Sequence, residues 1–227
     1  MKRFYKFVTV GDDNAILLDN RPVKTPAGNR LALPTRALAD AIAQEWKEQG
    51  VAIVPAAMPL TRYANITLDG IVQNRAAVAT ELASYGGNDL LCYRAEEEPL
   101  AIRQAAQWDT LLDWAYDAHG ARLATACGVI HHAQSLAAQA ALAKAVAALD
   151  DWTLAGLQPL VTITGSLVLA LAVASGRLTP AQAFAISRID EDFQAEKWGV
   201  DDEARERVEN LAAEIEIAGK YIALARA

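Results

Sequence analysis

The sequence predicts an α+β protein in which a small N-terminal β-rich domain, an antiparallel meander with one helix, packs on a larger all-α C-terminal domain. Two observations support this prediction. Residues 4–33 alternate short apolar runs with turn residues, which is typical of strands joined by hairpins. From about residue 61 onward, apolar residues recur at helical spacing almost everywhere. We therefore predict domains at residues 1–58 and 59–227.

Three apolar segments separated by turn-forming residues predict the meander. The segments are residues 7–10, 15–18 and 31–33, and the turns are residues 11–14, 19–22 and 26–29. A helix follows over residues 34–50, in which Leu38, Ile42 and Trp46 keep helical spacing. We expect this helix to cover one face of the sheet.

Helices in the C-terminal part are predicted from apolar stripes and start signals. The clearest stripe covers residues 108–119, and the apolar run 160–174 predicts one buried central helix. Residues 179–182 read Thr-Pro-Ala-Gln, in which the threonine can cap the helix while the glutamine reaches back. Gly199 breaks the pattern, and the acidic residues from Asp201 onward predict the start of a last helix.

Charge and cysteine content exclude several classes of protein. The net charge is −7, and residues 190–216 alone hold 11 acids and 3 bases, so the acidity is local. The first 36 residues carry seven bases against three acids, which is too mild a surplus for a nucleic-acid partner. Two cysteines 35 positions apart offer no disulfide framework and indicate a reducing compartment. The run 160–174 is shorter than the roughly 20 residues of a membrane span, so we expect no stable membrane insertion.

No motif in the chain predicts catalysis. His131 and His132 follow Cys127, but adjacent side chains on a helix point about 100° apart and cannot share a ligand face. Cys92 lies in an apolar segment, where a free cysteine is more often a buried hydrophobe than a nucleophile. Phosphate-binding loops and the common hydrolase motifs are absent. We expect no catalytic residue, no metal site and no cofactor.

Residues 188–198 differ from an ordinary amphipathic helix, because Phe193 and Trp198 lie among charged residues rather than in an apolar stripe. Aromatic residues bordered by charge are typical of interface hot spots. A solvated helix face, with Arg188 and Glu191 as an i, i+3 pair worth a few tenths of a kcal/mol, explains the same pattern. Both interpretations stay open at this point.

Several motifs, in order along nearly the whole chain, resemble one family. Residues 2–6 read Lys-Arg-Phe-Tyr-Lys, and further matching segments follow at 18–26, 31–35, 45–49, 58–62, 85–95, 107–114, 165–170, 190–194 and 198–201. The chain resembles the assembly chaperones that bind the alpha subunit of the ATP synthase F(1) head, found in mitochondria and alphaproteobacteria. Two departures are Asn20, where a glycine is typical, and Thr110, where a proline commonly stands.

The resemblance implies a β-rich N-terminal domain, a helical C-terminal domain and no catalytic activity. It also implies that the chain binds unassembled alpha subunit and shields the surface that will meet the beta subunit. The family motif and the acidic, aromatic pattern together make one set of residues the expected partner-binding surface. This set is Glu191 with Asp190, Gln194 and Trp198, and Arg94 from the otherwise structural segment 89–94.

Two other functions remain as alternatives. One is a small-molecule enzyme or binding protein with a pocket between the two domains, using Asp89, Arg94 and His131 or His132. The other is a membrane-associated subunit anchored by residues 160–174. The first residues contain no apolar signal core. We expect a cytoplasmic alphaproteobacterial protein, or a mitochondrial matrix protein if the source is eukaryotic, that is monomeric when free.

Overall fold

The computed structural model describes residues 1–199 and 201–227 and divides the chain into two compact units. Unit 1 comprises Met1–Arg75, Asp150–Gly156 and Lys220–Ala227, and unit 2 comprises Ala76–Leu149 and Leu157–Gly219. The predicted α+β class is confirmed: three short antiparallel strands lie near the N-terminus and most of the remaining chain is helical. The predicted domain boundary between residues 58 and 59 stays a prediction.

The sheet of unit 1 has the order β1 (Val8–Val10), β2 (Ile16–Leu18) and β3 (Arg21–Pro22), all antiparallel. Asp19 and Asn20 both have positive φ, +48° and +64°, so these two residues alone turn the chain between β2 and β3. Asparagine and aspartate tolerate this left-handed backbone, which explains why the turn does not require a glycine at Asn20.

The prediction for the third strand was therefore wrong in position. Residues 21–22, expected to form part of a turn, are strand β3. Residues 31–33, expected to be a strand, contribute a single bridge between Ala15 and Ala32. A two-residue turn with positive φ returns the chain to the sheet sooner than the four-residue turn expected from composition.

Helix α1 (Arg36–Lys47) begins where the sequence predicts it. The Thr35 hydroxyl accepts a hydrogen bond from the N–H of Leu38 at 3.1 Å, which caps the first turn. Leu38 and Ile42 are fully buried, whereas Trp46 is partly exposed. The apolar face of α1 packs on β1 and β2, as expected for the helix of the β-rich part.

A buried carboxylate organises the next helices of unit 1. Helix α2 (Pro59–Ile66) continues through a π-helical turn (Thr67–Ile71) into α3 (Val72–Ser84). Glu45 accepts hydrogen bonds from the N–H groups of Leu60 at 2.7 Å and Thr61 at 2.8 Å, at the start of α2. Burial raises the pKa of Glu45, and its bonds to Thr61 and Leu60 oppose the rise.

Besides the end of α3, unit 2 contains seven α-helices or parts of α-helices and a two-stranded parallel ladder among its described residues. The ladder pairs β4 (Tyr93–Arg94) with β5 (Ala126–Cys127). The helices are α4 (Glu98–His119), α5 (Leu136–Ala147), α6 (Asp151–Thr164), α7 (Leu167–Ala174), α8 (Pro180–Ser187), α9 (Ile189–Trp198) and α10 (Asp202–Ala225). The first residues of α6 and the last of α10 belong to unit 1.

The apolar run 160–174 is not one helix. Gly165 adopts φ +65° and ends α6, and Ser166 caps the new helix α7 by accepting a hydrogen bond from the N–H of Leu169. Every residue of α7 is buried. Because all faces of the run are apolar, hydrophobicity did not show the break, and a threonine, a glycine and a serine in sequence were the only local sign of it.

A second buried carboxylate holds the start of α7. Asp89 is fully buried and accepts hydrogen bonds from the N–H groups of Leu91 and Val168, both at 3.0 Å. The N–H of Leu90 donates to the carbonyl of Gly165 at 3.0 Å beside it. Burial raises the pKa of Asp89, while these donors favour its carboxylate.

Helices α8 and α10 approach closely at one point in unit 2. The capping box of α8 is present as predicted, with Thr179 and Gln182 each bonded to the backbone of the other. A Cβ built on Gly219 would lie 2.2 Å from Cγ of Pro180 in the first turn of α8. A side chain cannot fit there, so the glycine is required by the contact between the helices.

We expect Asp89→Asn to lower the free energy of unfolding by about 2–4 kcal/mol, because an amide keeps one acceptor and turns two donors toward buried N–H groups. Urea unfolding followed by circular dichroism measures the change. Asp113→Asn, at an exposed position of α4, is the control and should stay within about 0.5 kcal/mol of the parent. Equal midpoints for the two variants would contradict this role.

Gly219→Ala is expected to destabilise the protein by about 1–3 kcal/mol, since the added methyl group overlaps the rigid ring of Pro180. Gly70→Ala is the matched control, because its Cβ would meet no atom within 4 Å. That substitution should be neutral or stabilising by up to about 1 kcal/mol. Thermal melts of both variants test the contact, and a Gly219→Ala melt at or above that of the parent would disprove it.

Candidate functional site

Helix α9, which carries four of the five predicted site residues, is anchored through one face. Phe193 is buried, and its ring lies between two cations: Arg103 Cζ is 5.0 Å and Lys197 Nζ is 4.2 Å from the ring centroid. Arg103 also pairs with Glu196 at 2.7 Å, and Lys197 pairs with Glu97. These contacts hold α9 against α4, so its orientation within unit 2 is set.

Asp190 belongs to this anchored face. Its Oδ1 accepts a hydrogen bond from Gln104 Nε2 at 2.7 Å, and the side-chain carbonyl of Gln104 accepts one from the N–H of Ala95 at 2.8 Å. Gln104 is itself buried. Asp190 is therefore partly occupied with structure, which the sequence pattern did not distinguish from its neighbour Glu191.

The opposite face of α9 is exposed to solvent. At 100° per residue, Glu191 and Trp198 lie roughly 140–160° around the helix from Phe193. Trp198 is 82% exposed, and its indole N–H donates to Gln194 Oε1 at 3.2 Å. The structure thus brings Glu191, Gln194 and Trp198 together on one accessible face, which we call the α9 outer face.

A groove of about 710 Å³ opens beside the α9 outer face, within unit 2. Glu191 lines it, together with residues from α6, α8 and α10. Its apolar lining includes Leu90, Ile163, Phe184, Val208 and Leu211, and its charged lining includes Arg188, Arg207, Asp201 and Glu203. The groove combines apolar surface with charges of both signs, as the core and rim of a protein interface do.

Sequence reasoning missed the contribution of α10 to this groove. Arg207, Val208 and Leu211 are more than fifteen positions from Glu191 along the chain, and only packing brings them to the same groove. The sequence spacing suggests Arg188 only as an i, i+3 partner of Glu191. In the structure Arg188 Nε lies 3.6 Å from Asp192 Oδ1. Spacing within α9 gave no sign of these neighbours.

Arg94 is not part of the α9 outer face. Its guanidinium pairs with Asp109 at 2.6 Å, donates to the carbonyl of Leu91 and lies 5.1 Å from the ring centroid of Trp108. The side chain is only 13% exposed. These contacts explain Arg94 as a structural residue, and its role in partner binding stays a prediction, as do the roles of Asp190, Glu191, Gln194 and Trp198.

The residues with reactive side chains that were possible candidates for catalysis, Cys92, Asp89 and His131, have surroundings typical of structural residues. Burial raises the pKa of the Cys92 thiol to about 12, with Asp89 adding to the rise, so the thiol is protonated near neutral pH. Both Asp89 oxygens accept backbone hydrogen bonds. His131 is exposed and lies 3.3 Å from the hydroxyl of Tyr93. Among residues 1–199 and 201–227, no group of three or more possible metal ligands occurs.

None of the helices in the described part of the chain is both long enough and apolar enough to cross a bilayer. The wholly apolar helix α7 has eight residues, because Gly165 divides the run that the membrane alternative required.

Comparison with known families and structures gives consistent matches. The family model described as ATP12 chaperone protein matches residues 2–116. The mitochondrial protein atp12 of Schizosaccharomyces pombe is 25% identical over 222 residues, covering 90% of this chain and 76% of that protein. The crystal structure of Atp12 from Paracoccus denitrificans has a TM-score of 0.94 and 43% identity, covering 99% of this chain and 98% of that one. The crystal structure of Atu1473 from Agrobacterium tumefaciens has a TM-score of 0.88 and 41% identity, covering 97% and 84%.

The two faces of α9 should respond differently to substitution. Phe193→Ala is expected to cost about 3–5 kcal/mol, because it removes a buried ring and leaves two cations without their contact. Trp198→Ala should change the free energy of unfolding by less than about 0.5 kcal/mol, since that side chain is exposed. Chemical denaturation measures both, and a large loss for Trp198→Ala would show that its face is not free.

Proposed function

The chain belongs to the ATP12 chaperone family, and on that basis we propose that it assists assembly of ATP synthase by binding the unassembled alpha subunit of the F(1) head. Membership of a chaperone family implies a role without catalysis and without a cofactor. The resemblance set out from the sequence motifs names the alpha subunit as the client and its beta-contacting surface as the part to be shielded.

One observation favours the α9 outer face as the docking surface: Trp198 is 82% exposed on a helix whose other face is firmly anchored. An exposed aromatic on a pre-ordered element buries a large area on binding and loses little conformational freedom. Because α9 is already fixed by Phe193, the cost of ordering this surface has been met during folding. The groove next to Glu191 offers apolar surface for a second anchor.

Charges around this surface suit a temporary complex. Glu191 and Asp201 are acidic, while Arg188 and Arg207 are basic, and all four line the groove. Charged rims increase the rate of encounter and select partners more than they increase affinity. A chaperone must bind its client and later release it, so moderate affinity with fast, specific encounter fits the proposed role.

Release requires no energy source within this chain. If beta subunit binds alpha more tightly than the chaperone does, mass action removes alpha from the chaperone as the alternating ring forms. We place this activity in a bacterial cytoplasm or, for a eukaryotic source, a mitochondrial matrix, with the chain monomeric when free; one of the related proteins is mitochondrial. This mechanism makes the beta subunit a competitor rather than a partner.

Co-expression with the alpha subunit of the same organism tests the proposal. We expect soluble alpha subunit to co-elute with this chain in size-exclusion chromatography and to leave it when beta subunit is added. Insoluble alpha subunit with no co-eluting complex would reject alpha as the client. A complex that resists excess beta subunit would reject release by competition.

Glu191→Lys should weaken alpha-subunit binding by at least about tenfold, because it reverses a charge at the centre of the docking surface. Its melting temperature should match that of the parent, since Glu191 is exposed. Glu209→Lys is the matched control: it makes the same charge change at an exposed position of α10 that does not line the groove. Equal binding by the two variants would exclude Glu191 from the surface.

A further inference from the structure

A second groove lies in unit 1, away from every residue of the α9 outer face in sequence. Its volume is about 650 Å³, and its lining comes from the N-terminal segment, the β2–β3 hairpin and Trp46 of α1. Phe4 and Met1 line it and are 65% and 76% exposed. Large apolar side chains exposed at a concave surface are a common sign of a binding site.

Trp46, which lines this groove, carries a buried hydrogen-bond donor. Trp46 Nε1 is buried, and no acceptor for it occurs in the described part of the chain. The ring is held in place: the hydroxyl of Tyr5 donates to the carbonyl of Trp46 at 2.6 Å, and the two ring centroids are 5.7 Å apart. A buried donor without a partner is unusual, but Nε1 is enclosed, so a bound molecule would contact the exposed part of the Trp46 side chain rather than this atom.

The charges that line the groove are mostly positive. Arg21 and Lys24 both line it, and neither has an ion-pair partner within 4.0 Å among residues 1–199 and 201–227. Asp19 is the one acidic residue of the lining, and its carboxylate already accepts the N–H groups of Lys6 at 3.1 Å and Phe7 at 2.8 Å. The groove therefore offers two cations, and the one anion of its lining is already hydrogen-bonded to backbone N–H groups and attracted to Arg21.

We propose that this groove binds an extended acidic peptide segment, with an apolar side chain against Phe4 and Trp46 and carboxylates facing Arg21 and Lys24. Charge complementarity carries the choice of occupant, because Arg21 and Lys24 line the groove without an ion-pair partner within 4.0 Å among the described residues, and its one carboxylate is already hydrogen-bonded. A peptide fits better than an anionic membrane, since the groove is concave. This site goes beyond the α9 outer face and does not depend on which subunit that face binds.

Titration of the isotope-labelled full chain with a synthetic peptide tests the proposal. The probe is a capped octapeptide that alternates aspartate or glutamate with isoleucine, phenylalanine and valine. The chain has five tryptophans, and Trp46→Phe assigns the indole N–H signal of Trp46. We expect that signal to shift on titration up to about 1 mM peptide, with the other indole signals unchanged. A matched octapeptide with asparagine and glutamine should bind at least about tenfold more weakly.

Two charge-reversal pairs complete the test. The double variant Arg21→Glu, Lys24→Glu should bind the acidic octapeptide at least about tenfold more weakly than the parent. The control is Arg36→Glu with Lys47→Glu, which makes the same charge change on α1 outside the lining and should leave the affinity for the octapeptide unchanged. Melting curves check that each pair folds, and the milder Arg21→Gln with Lys24→Gln pair replaces the first if it does not.

Three results would overturn the proposal. They are no shift of the Trp46 signal at the highest peptide concentration, equal binding by the two charge-reversal pairs, and binding only to vesicles of phosphatidylserine and phosphatidylcholine. The experiment contains no alpha subunit, so its failure would leave the proposed function standing. Likewise, a failure to bind the alpha subunit would not contradict the proposed peptide site.

Discussion

The buried carboxylate of Asp89 is the constraint on which the organisation of unit 2 depends. A helix that begins inside a protein leaves several backbone N–H groups without partners, and each costs about 1–3 kcal/mol if left unpaired. Helix α7 is buried along its whole length, so water cannot satisfy its first turn. Asp89 and Ser166 supply the acceptors. The neighbouring Leu90 and Gly165, joined by their backbones, then form part of the groove beside α9.

Unit 1 uses the same solution with a different residue. Glu45 reaches from α1 to the first turn of α2 and accepts two backbone N–H groups and the hydroxyl of Thr61. In both units the desolvation of an acid, which raises its pKa, is offset by donors that need an acceptor. A buried acid in this fold therefore marks a buried helix start, and its presence in an apolar segment is not a sign of catalysis.

Helix α9 has an anchored face and an exposed face within ten residues. Its inner face holds Phe193 between two cations and connects Asp190 to the buried Gln104. On its outer face, Trp198 is largely exposed to solvent. The acidic, aromatic composition of the segment includes residues of both faces, which explains why composition alone left an interface and a solvated face equally open. The distinction follows from the position of each residue around the helix.

The sequence by itself determined the start of α1 at Thr35 and the capping box at Thr179 and Gln182, because both depend on residues that are close along the chain. It also determined the class of fold and the family, because the periodicity and the motifs that indicate them are spread over many segments of the chain. Only the tertiary structure decided the position of the third strand, the break at Gly165, the internal role of Arg94 and the groove that joins Glu191 to Arg207. Local patterns report backbone preference and the burial of one face. They carry no information on which distant side chains line a pocket or form an ion pair with a charged residue, because long-range packing determines those contacts.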